Sequence, residues 1–388
     1  MGKMKNWLSM LVATGMVVSM AGCGKKAKAD NSVNDGYQPQ ITSVQQGQTI
    51  ALLDGDIYTF ASNYNKKLYA KDFANGDFKV NRFAPKPATL SWENTRDGAL
   101  YYTVKVGLKK DLSDAEKYLV SGTSLDVENL FAAKKYYYQI YAHYENDEVV
   151  KSRIFHFTTA DLPRTVHIEG VSNTRDLGGR LTVDGTHRVK QGMIYRGGEV
   201  DSAWGHITEE GKRVMVQELG IKTDLDLRNG LNYKNSPIDD SLNYINVSAP
   251  YYTSSTTGIM ASEYKDALIT EVRTFANPDN YPIYLHCSLG RDRAGTLAFM
   301  ISALLGVGEM DLYRDYEMSF FSVNGWADAN QGNGKIEELI VQLDYLYNFF
   351  KSYDKGSLAE NTATFMIRYL GITQSEIDTI REIMLEEV

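Results

Sequence analysis

The rhythm of apolar and polar positions changes twice along this chain. From about residue 80 to 160, Ala88 to Trp92, Tyr101 to Val106, Tyr136 to Ala142 and Ile154 to Thr158 alternate with period two between turn residues. Such stretches predict short strands, and their spacing predicts a β-sandwich. Past Asp161-Leu-Pro-Arg, a likewise short linker, the pattern becomes mixed. Gly178-Gly179 permits a tight turn into a strand at Leu181 to Val183, and Met193 to Gly198 is a further short strand. Ile207 to Gly220 has a helical period with Thr208 as N-cap and Gly220 just past its end, and Ile221 to Arg228 reads as a strand. Strand, helix, strand in this order predicts a mostly parallel sheet with right-handed crossovers. Ile283 to Leu285 is a continuous apolar run, a buried strand, and the apolar residues from Thr296 to Leu305 form a buried helix. The rest is helical: 310–319, 335–350, 359–370, and a last helix opened by Thr373 and Glu376 as a capping box. Residues 24–48 are polar and predict a solvated tether. The aromatic stretch from Thr49 to about Lys79 leaves a helix and a strand pair equally open, either serving as a cap on the next module. No internal repeat occurs.

The loop between the predicted strand at Ile283 and the helix at Thr296 carries the chemistry. It reads His286-Cys287-Ser288-Leu289-Gly290-Arg291-Asp292-Arg293-Ala294-Gly295. A strand–loop–helix of this kind aims backbone N–H groups and the positive end of a helix dipole at one point, which suits an anion. A thiolate at its rim is stabilised by the same groups, so Cys287 is the candidate nucleophile. A lone Cys is ordinarily a small core residue. Here Arg293 stands six positions beyond it with glycine between, and the pattern weighs for a site.

His286-Cys287, five residues and Arg293 resembles the signature of the cysteine-dependent protein tyrosine phosphatases. Gly290-Arg291-Asp292-Arg293-Ala294-Gly295 resembles the bacterial tyrosine/serine phosphatase branch that usually carries Gly-Lys-Asp-Arg-Thr-Gly. Asn173-Thr-Arg-Asp-Leu-Gly-Gly179 resembles that branch's Asn-x-Arg-Asp-Leu-Gly-Gly element, and Tyr195-Arg196-Gly197-Gly198 stands where it has Tyr-Arg-Ser-Gly. The similarity spans most of 165–385. It implies an α/β domain in which Cys287 attacks phosphorus and Arg293 binds two phosphate oxygens as a fork, a geometry Lys lacks. The amides of Ser288, Leu289, Gly290 and onward to Arg293 would cradle the transition state, with His286 behind the nucleophile. Arg291 and Arg196 are candidate substrate-binding cations. The resemblance implies Asp292 as general acid, with Asp176 and Asp201 as substitutes; capping the helix or orienting Arg293 is the other reading of Asp292. The interval from Ser248 to Val272, where many relatives keep their acid, has no Asp before Asp266. Ala294 replaces a hydroxyl residue that steadies the departing sulfur, which leaves Thr296 or Ser288 for that task, or slow turnover.

Composition changes this picture little. The chain has 388 residues, 43% hydrophobic and 23% charged, which implies two folded units plus tails. A net charge of −8 argues against nucleic-acid binding and assigns anion capture to local arginines. The six histidines show no metal-ligand spacing, so neither a metal nor another cofactor is expected. Cys23 and Cys287 are the two cysteines, and each has its own explanation, so no disulfide is expected.

The N-terminus begins with Lys3 and Lys5, then an apolar run from Trp7 to Ala21 that is too short to span a bilayer. Ser19-Met20-Ala21-Gly22-Cys23 resembles a bacterial lipoprotein cleavage site, which implies a lipidated Cys23 and an extracytoplasmic, membrane-anchored protein. A plain secretory signal is the alternative. Residues 80–160 resemble a fibronectin type III domain through Pro87 to Trp92 and through Leu130 followed by Tyr136, which match a tyrosine corner without the family's Pro. The expected organisation is multidomain: signal 1–23, tether 24–48, β-rich domain 49–160 and catalytic domain 161–388. The expected function is hydrolysis of phosphomonoesters, phosphotyrosine first. A phosphoinositide or inositol phosphate phosphatase is the second reading, and a surface adhesin with a vestigial catalytic domain is the reading from another class.

Overall fold

The computed structural model describes residues 38–63, 83, 85–202, 205–231, 233–248, 258–322 and 335–388. The segment expected to be a signal, with Cys23, lies outside the described residues. The chain divides into two compact units, 1–51 with 87–160 and 52–86 with 161–388.

Among the described residues the first unit has nine strands: β1 (Gln40–Ser43), β2 (Thr49–Ile50), β3 (Ala88–Glu93), β4 (Tyr101–Gly107), β5 (Glu116–Val120), β6 (Ser124–Val127), β7 (Lys135–His143), β8 (Val149–Lys151) and β9 (Phe155–Thr159). One sheet has the order β1-β3-β6 and the other β2-β9-β7-β4-β5, with β8 on the flank of β7. Period-two alternation does what the sequence predicts: Ala88, Leu90 and Trp92 turn inward from β3, and Tyr136, Tyr138, Ile140 and Ala142 from β7. Trp92 of the first sheet meets Tyr102 of the second edge-on, ring centres 5.3 Å apart. The phenol oxygen of Tyr136 accepts from the Phe131 amide at 2.8 Å. The tether ends earlier than expected, because β1 pairs antiparallel with β3, Ile41 opposite Trp92. The Tyr138 hydroxyl donates to the Val44 carbonyl, which ties this segment to the core. Two apolar residues in a polar run give no periodicity, so only the partner strand defines this one.

The second unit holds a five-stranded sheet of order β10-β12-β17-β15-β16: β10 (Arg175–Asp176), β12 (Ile194–Gly197), β17 (Ile283–His286), β15 (Thr223–Asp226) and β16 (Asn243–Asn246). The last four are parallel, and β10 runs antiparallel on the edge. The helix α4 (Arg293–Leu304) leaves the central strand β17 and is buried on every face from Ala294 onward, which explains its apolar, non-amphipathic sequence. The remaining helices are α1 (Gly55–Ser62), α2 (Glu209–Arg213), α3 (Lys265–Phe275), α5 (Glu309–Met318), α6 (Lys335–Ser352), α7 (Leu358–Phe365) and α8 (Gln374–Met384). Thr208 caps α2 by accepting from the Gly211 amide, and the helix continues as a π-turn from Val214 to Glu218. Thr373 and Glu376 form the predicted capping box of α8.

Two further assignments change. The segment 52–86 belongs with 161–388 rather than with the β-rich domain, because Leu53, Ile57 and Phe60 of and beside α1 enter the core around α4 and α5. Phe60 packs on Phe321 with ring centres 5.3 Å apart. Leu181 to Val183 is not a strand: Leu181 and Thr182 make isolated bridges to Arg188 and Val307. The regular pairing there is between β11 (His187–Val189) and β18 (Leu385–Glu387), two segments far apart in sequence. Short hairpins of β13 (Asp201–Ser202) and β14 (Gly205–His206) complete the unit.

Candidate active site

The loop from Cys287 to Asp292 joins the central strand to the N-terminus of α4, and its shape is set by where its carbonyls go. The Ser288 carbonyl accepts from the Glu199 amide at 3.1 Å. That of Leu289 accepts from Asn173 Nδ2 at 2.9 Å, and that of Gly290 from Arg196 Nη2 at 2.5 Å. The same Nη2 reaches the Arg291 carbonyl at 3.3 Å. Four consecutive carbonyls are therefore drawn outward into the protein. In a planar trans peptide the N–H points opposite to the C=O, so the amides of residues 289–292 face the concave side of the loop. That is an anion cradle.

Glycine is needed where the loop touches the strand beside it. Gly290 has φ of +67°, and a Cβ there would lie 2.2 Å from the Gly197 carbonyl oxygen. A Cβ on Gly295 would lie 2.9 Å from the Tyr316 ring and 3.0 Å from Arg196 Nη2. Cys287 is a buried free thiol at the start of the loop. Arg293, at the first turn of α4, is half-buried; its Nη1 donates to the Leu227 carbonyl at 2.8 Å and lies 3.5 Å from Ser248 Oγ. Its Nε and Nη2 have no partner among the described residues, which leaves an open fork.

His286 is buried behind the loop and stacks on Tyr284. Its Nε2 meets Asp224 Oδ1 at 2.9 Å, with Asp226 Oδ2 at 3.9 Å. Burial pulls its pKa down, but the two carboxylates outweigh burial and leave it raised. Asp226 in turn is held below the carboxylate range: burial opposes this, and His286 and Arg228 overcome it. Arg228 bridges Asp226, Glu199 and Asp201.

On the other side of the loop a single carboxylate gathers three arginines. Asp315, on α5, accepts from Arg175 Nε at 3.0 Å, from Arg180 Nη2 at 3.1 Å and from Arg196 Nη1. All four side chains are buried. Burial raises the Asp315 pKa, but Arg175, Arg196 and Arg180 outweigh it and hold the group well below the usual range. Arg175 Nη1 also donates to the side chain and carbonyl of Asn173, the residue that holds Leu289. Asp315 thus acts through two arginines on three consecutive loop carbonyls.

This geometry corrects several sequence-derived roles. Arg196 is fully buried, engaged with Asp315 and the loop carbonyls, and shapes the loop instead of meeting a substrate. Arg291 is 2% exposed and pairs through Nε and Nη2 with both oxygens of Asp292, at 2.9 and 3.0 Å. Its guanidinium is therefore turned to Asp292 and not presented as a substrate-binding cation. Asp292 makes no side-chain cap to α4, and Tyr316 donates to its Oδ1 at 3.1 Å. Asp176 is fully buried, its oxygens held by Arg164 and by the Gly178 and Gly192 amides, and unlike the partly exposed Asp292 it has no open side from which to protonate a leaving group. Asp201 pairs with Arg228 at 2.7 Å. Asp266 is exposed in the first turn of α3. Thr296 donates its hydroxyl to the Asp292 carbonyl at 3.0 Å, so that proton is not free to replace the hydroxyl missing at Ala294. Sequence reasoning missed Asp224, Asp226, Arg228 and Asp315. Two carboxylates alternating through an apolar strand were a usable signal for the first pair, whereas nothing local marks Asp315.

A profile described as the tyrosine phosphatase family matches residues 166–386, more than half of the chain. A protein of Cupriavidus necator named as a tyrosine-protein phosphatase is 27% identical over 170 residues, covering 38% of this chain and 59% of that protein. Two solved structures of the Siw14 catalytic core show a likeness: the core domain of the PP-IP phosphatase from S. cerevisiae in complex with citrate, and a second structure of that core. They are 18% and 17% identical, cover 39% of this chain and 89% and 88% of theirs, and each has a TM-score of 0.25.

Proposed function

Because the chain belongs to the tyrosine phosphatase family, we propose that it hydrolyses phosphomonoesters through a phosphocysteine on Cys287. The observation that carries this reading is the set of outward-tied carbonyls from Ser288 to Arg291, which turns the amides towards one point beside a buried thiol. The Cys287 thiolate attacks phosphorus while the P–O bond to the leaving group breaks, and Arg293 offers Nε and Nη2 to two phosphoryl oxygens. Asp292 gives the leaving oxygen its proton, for which one carboxyl oxygen must let go of Arg291. Water then attacks the phosphocysteine, its proton passes back to Asp292, and thiolate and phosphate are released. Ala294 and the engaged Thr296 hydroxyl leave the departing sulfur with fewer donors than in relatives, which favours a slow second step.

Phosphotyrosine is the substrate of choice. An inositol phosphate would need cations for its extra phosphates, and the two candidates, Arg196 and Arg291, are buried in other pairings. The C. necator protein supports a protein substrate only by its name, since the chain spans 59% of its length. We further propose that Cys23 is lipidated and holds the protein outside the cytoplasm, and that the first unit is a fibronectin type III-like module. The two-sheet arrangement and the Tyr136–Phe131 hydrogen bond support the latter.

The test is turnover of para-nitrophenyl phosphate with and without vanadate, in wild type and Cys287→Ser. Vanadate-sensitive turnover in wild type that is lost in the variant is expected. Retained turnover in Cys287→Ser would remove the phosphocysteine, and an inactive wild type would favour the vestigial-domain reading. For the anchor, full-length protein made in a bacterium should enter the detergent phase, and Cys23→Ala should release it; a soluble wild type would refute lipidation.

A further inference from the structure

The outer face of the larger sheet of the first unit has a composition that the phosphatase reading does not use. Its residues follow from strand register. Tyr101 lies opposite His143, Thr103 opposite Tyr141 and Leu119, and Lys105 opposite Gln139 and Lys117. Further along, Gly107 and His156 flank Tyr137, and Lys135 lies opposite Thr158. Residues directly opposite share a face; on this one Thr103 and Gln139 are buried, whereas Tyr101, Lys117, Leu119 and Lys135 are exposed and Lys105, Tyr137, Tyr141, His143 and His156 are partly so. The alternate positions, such as Tyr102, Val104, Tyr138, Ile140 and Phe157, are buried in the core.

Two properties stand out. First, none of these positions carries a carboxylate, although the chain as a whole has a net charge of −8; Asp114 comes over Gly107 at one end of the face, where it accepts from the Leu108 and Lys109 amides. Glu116 of β5 falls on the other register, opposite Val106. Lys105 and Lys117 face each other across neighbouring strands, an arrangement that is unfavourable without a counter-anion. The lysine field reaches the two imidazoles of the face. Burial first, then Lys117, lowers the pKa of His143; burial first, then Lys135 and Lys110, lowers that of His156. Second, rings and ammonium groups alternate. Tyr101 and His143 stack at 4.3 Å and 13°. Lys105 Nζ stands 5.1 Å above the Tyr141 ring and Lys135 Nζ 5.5 Å above that of Tyr137. From Lys135 to His143 the surface runs about 27 Å along β7 at the usual rise of a strand.

We infer that this face binds an anionic polysaccharide, whose sugar rings lie on the tyrosines while its acidic groups pair with Lys105, Lys117 and Lys135. A flat surface of half-buried rings flanked by cations suits a ribbon-like sugar chain. A lipid surface would be expected to meet several protruding apolar side chains, whereas Leu119 is the one large aliphatic residue among these positions. The inference does not depend on the catalytic reading.

The test uses the full chain in affinity electrophoresis through gels containing polygalacturonate or neutral dextran, with phosphatidylglycerol vesicles tested by sedimentation. Wild type should be retarded by polygalacturonate and not by dextran, and salt at physiological strength should weaken the effect. The double variant Lys105→Glu with Lys117→Glu should lose about tenfold or more in apparent affinity, with para-nitrophenyl phosphate turnover and the near-ultraviolet circular dichroism of the tyrosines unchanged. Should that dichroism collapse, Lys117→Gln alone replaces it, with a smaller loss in the same direction expected. No retardation of wild type, equal retardation of a folded variant, or binding to the vesicles alone would overturn the inference.

Discussion

At the scale of single residues, the pairing of Arg291 with Asp292 decides how the proposed acid is handled. Both Asp292 oxygens accept from Arg291, and Tyr316 adds a third donor. If Asp292 protonates the leaving oxygen, Asp292→Asn should slow alkyl and phosphotyrosyl esters far more than activated aryl esters, whose phenolates depart without a proton. The measurement is a leaving-group series, with log rate plotted against leaving-group pKa. A steeper slope in the variant supports the acid; parallel lines would reduce Asp292 to a partner that holds Arg291 in place. Arg293→Lys keeps the charge but loses the open fork, and a loss of at least ~100-fold in rate is expected. A rate near that of wild type would mean that Arg293 is not the phosphate clamp. The proposed fork and the proposed nucleophile could be named from the sequence because their spacing is local, all within one loop. Arg196 was misread because its neighbour in space, Asp315, lies 119 positions away.

At the scale of elements, the loop is held by its neighbours more than by its own residues. β12 supplies Arg196, the segment before β10 supplies Asn173, and α5 supplies Asp315, which orients both through Arg196 and Arg175. Removing the Asp315 charge leaves three buried guanidinium groups around a weaker acceptor. Breaking a buried ion pair on one side costs about 3–5 kcal/mol, so Asp315→Asn should lower the melting temperature. Where the variant remains folded, its affinity for vanadate should fall more than its affinity for phosphate, because the geometry of the cradle matters most for the transition state. An unchanged ratio of the two affinities would leave Asp315 with a role in stability alone. The strands and helices themselves were mostly readable, since periodicity is a local property. Among the exceptions are β1, β5, β6 and β16, and the pairing of β11 with β18 where a strand at Leu181 to Val183 was expected; these segments are too short to carry a period, and their partner strands define them.

At the scale of the whole molecule, α1 shows that the two units are not consecutive in sequence. Phe60 is buried among the residues of the catalytic core, and truncating a buried Phe typically costs about 3–5 kcal/mol. Phe60→Ala should therefore lower the temperature at which phosphatase activity is lost while sparing the unfolding transition of the first unit, followed through its tyrosines. Equal destabilisation of both transitions, or of neither, would contradict this division. The sequence by itself pointed to the proposed nucleophile and the proposed phosphate-binding arginine, and determined the parallel sheet, most helices and the β-rich character of residues 80–160. Each is encoded by contiguous residues, through spacing, periodicity or caps. Only the tertiary structure decided which arginines shape the loop, that Asp224, Asp226 and Asp315 anchor it, and where residues 52–86 belong. Those outcomes depend on burial, because a charge removed from water must find its partner wherever the fold brings one. No spacing along the chain records that meeting.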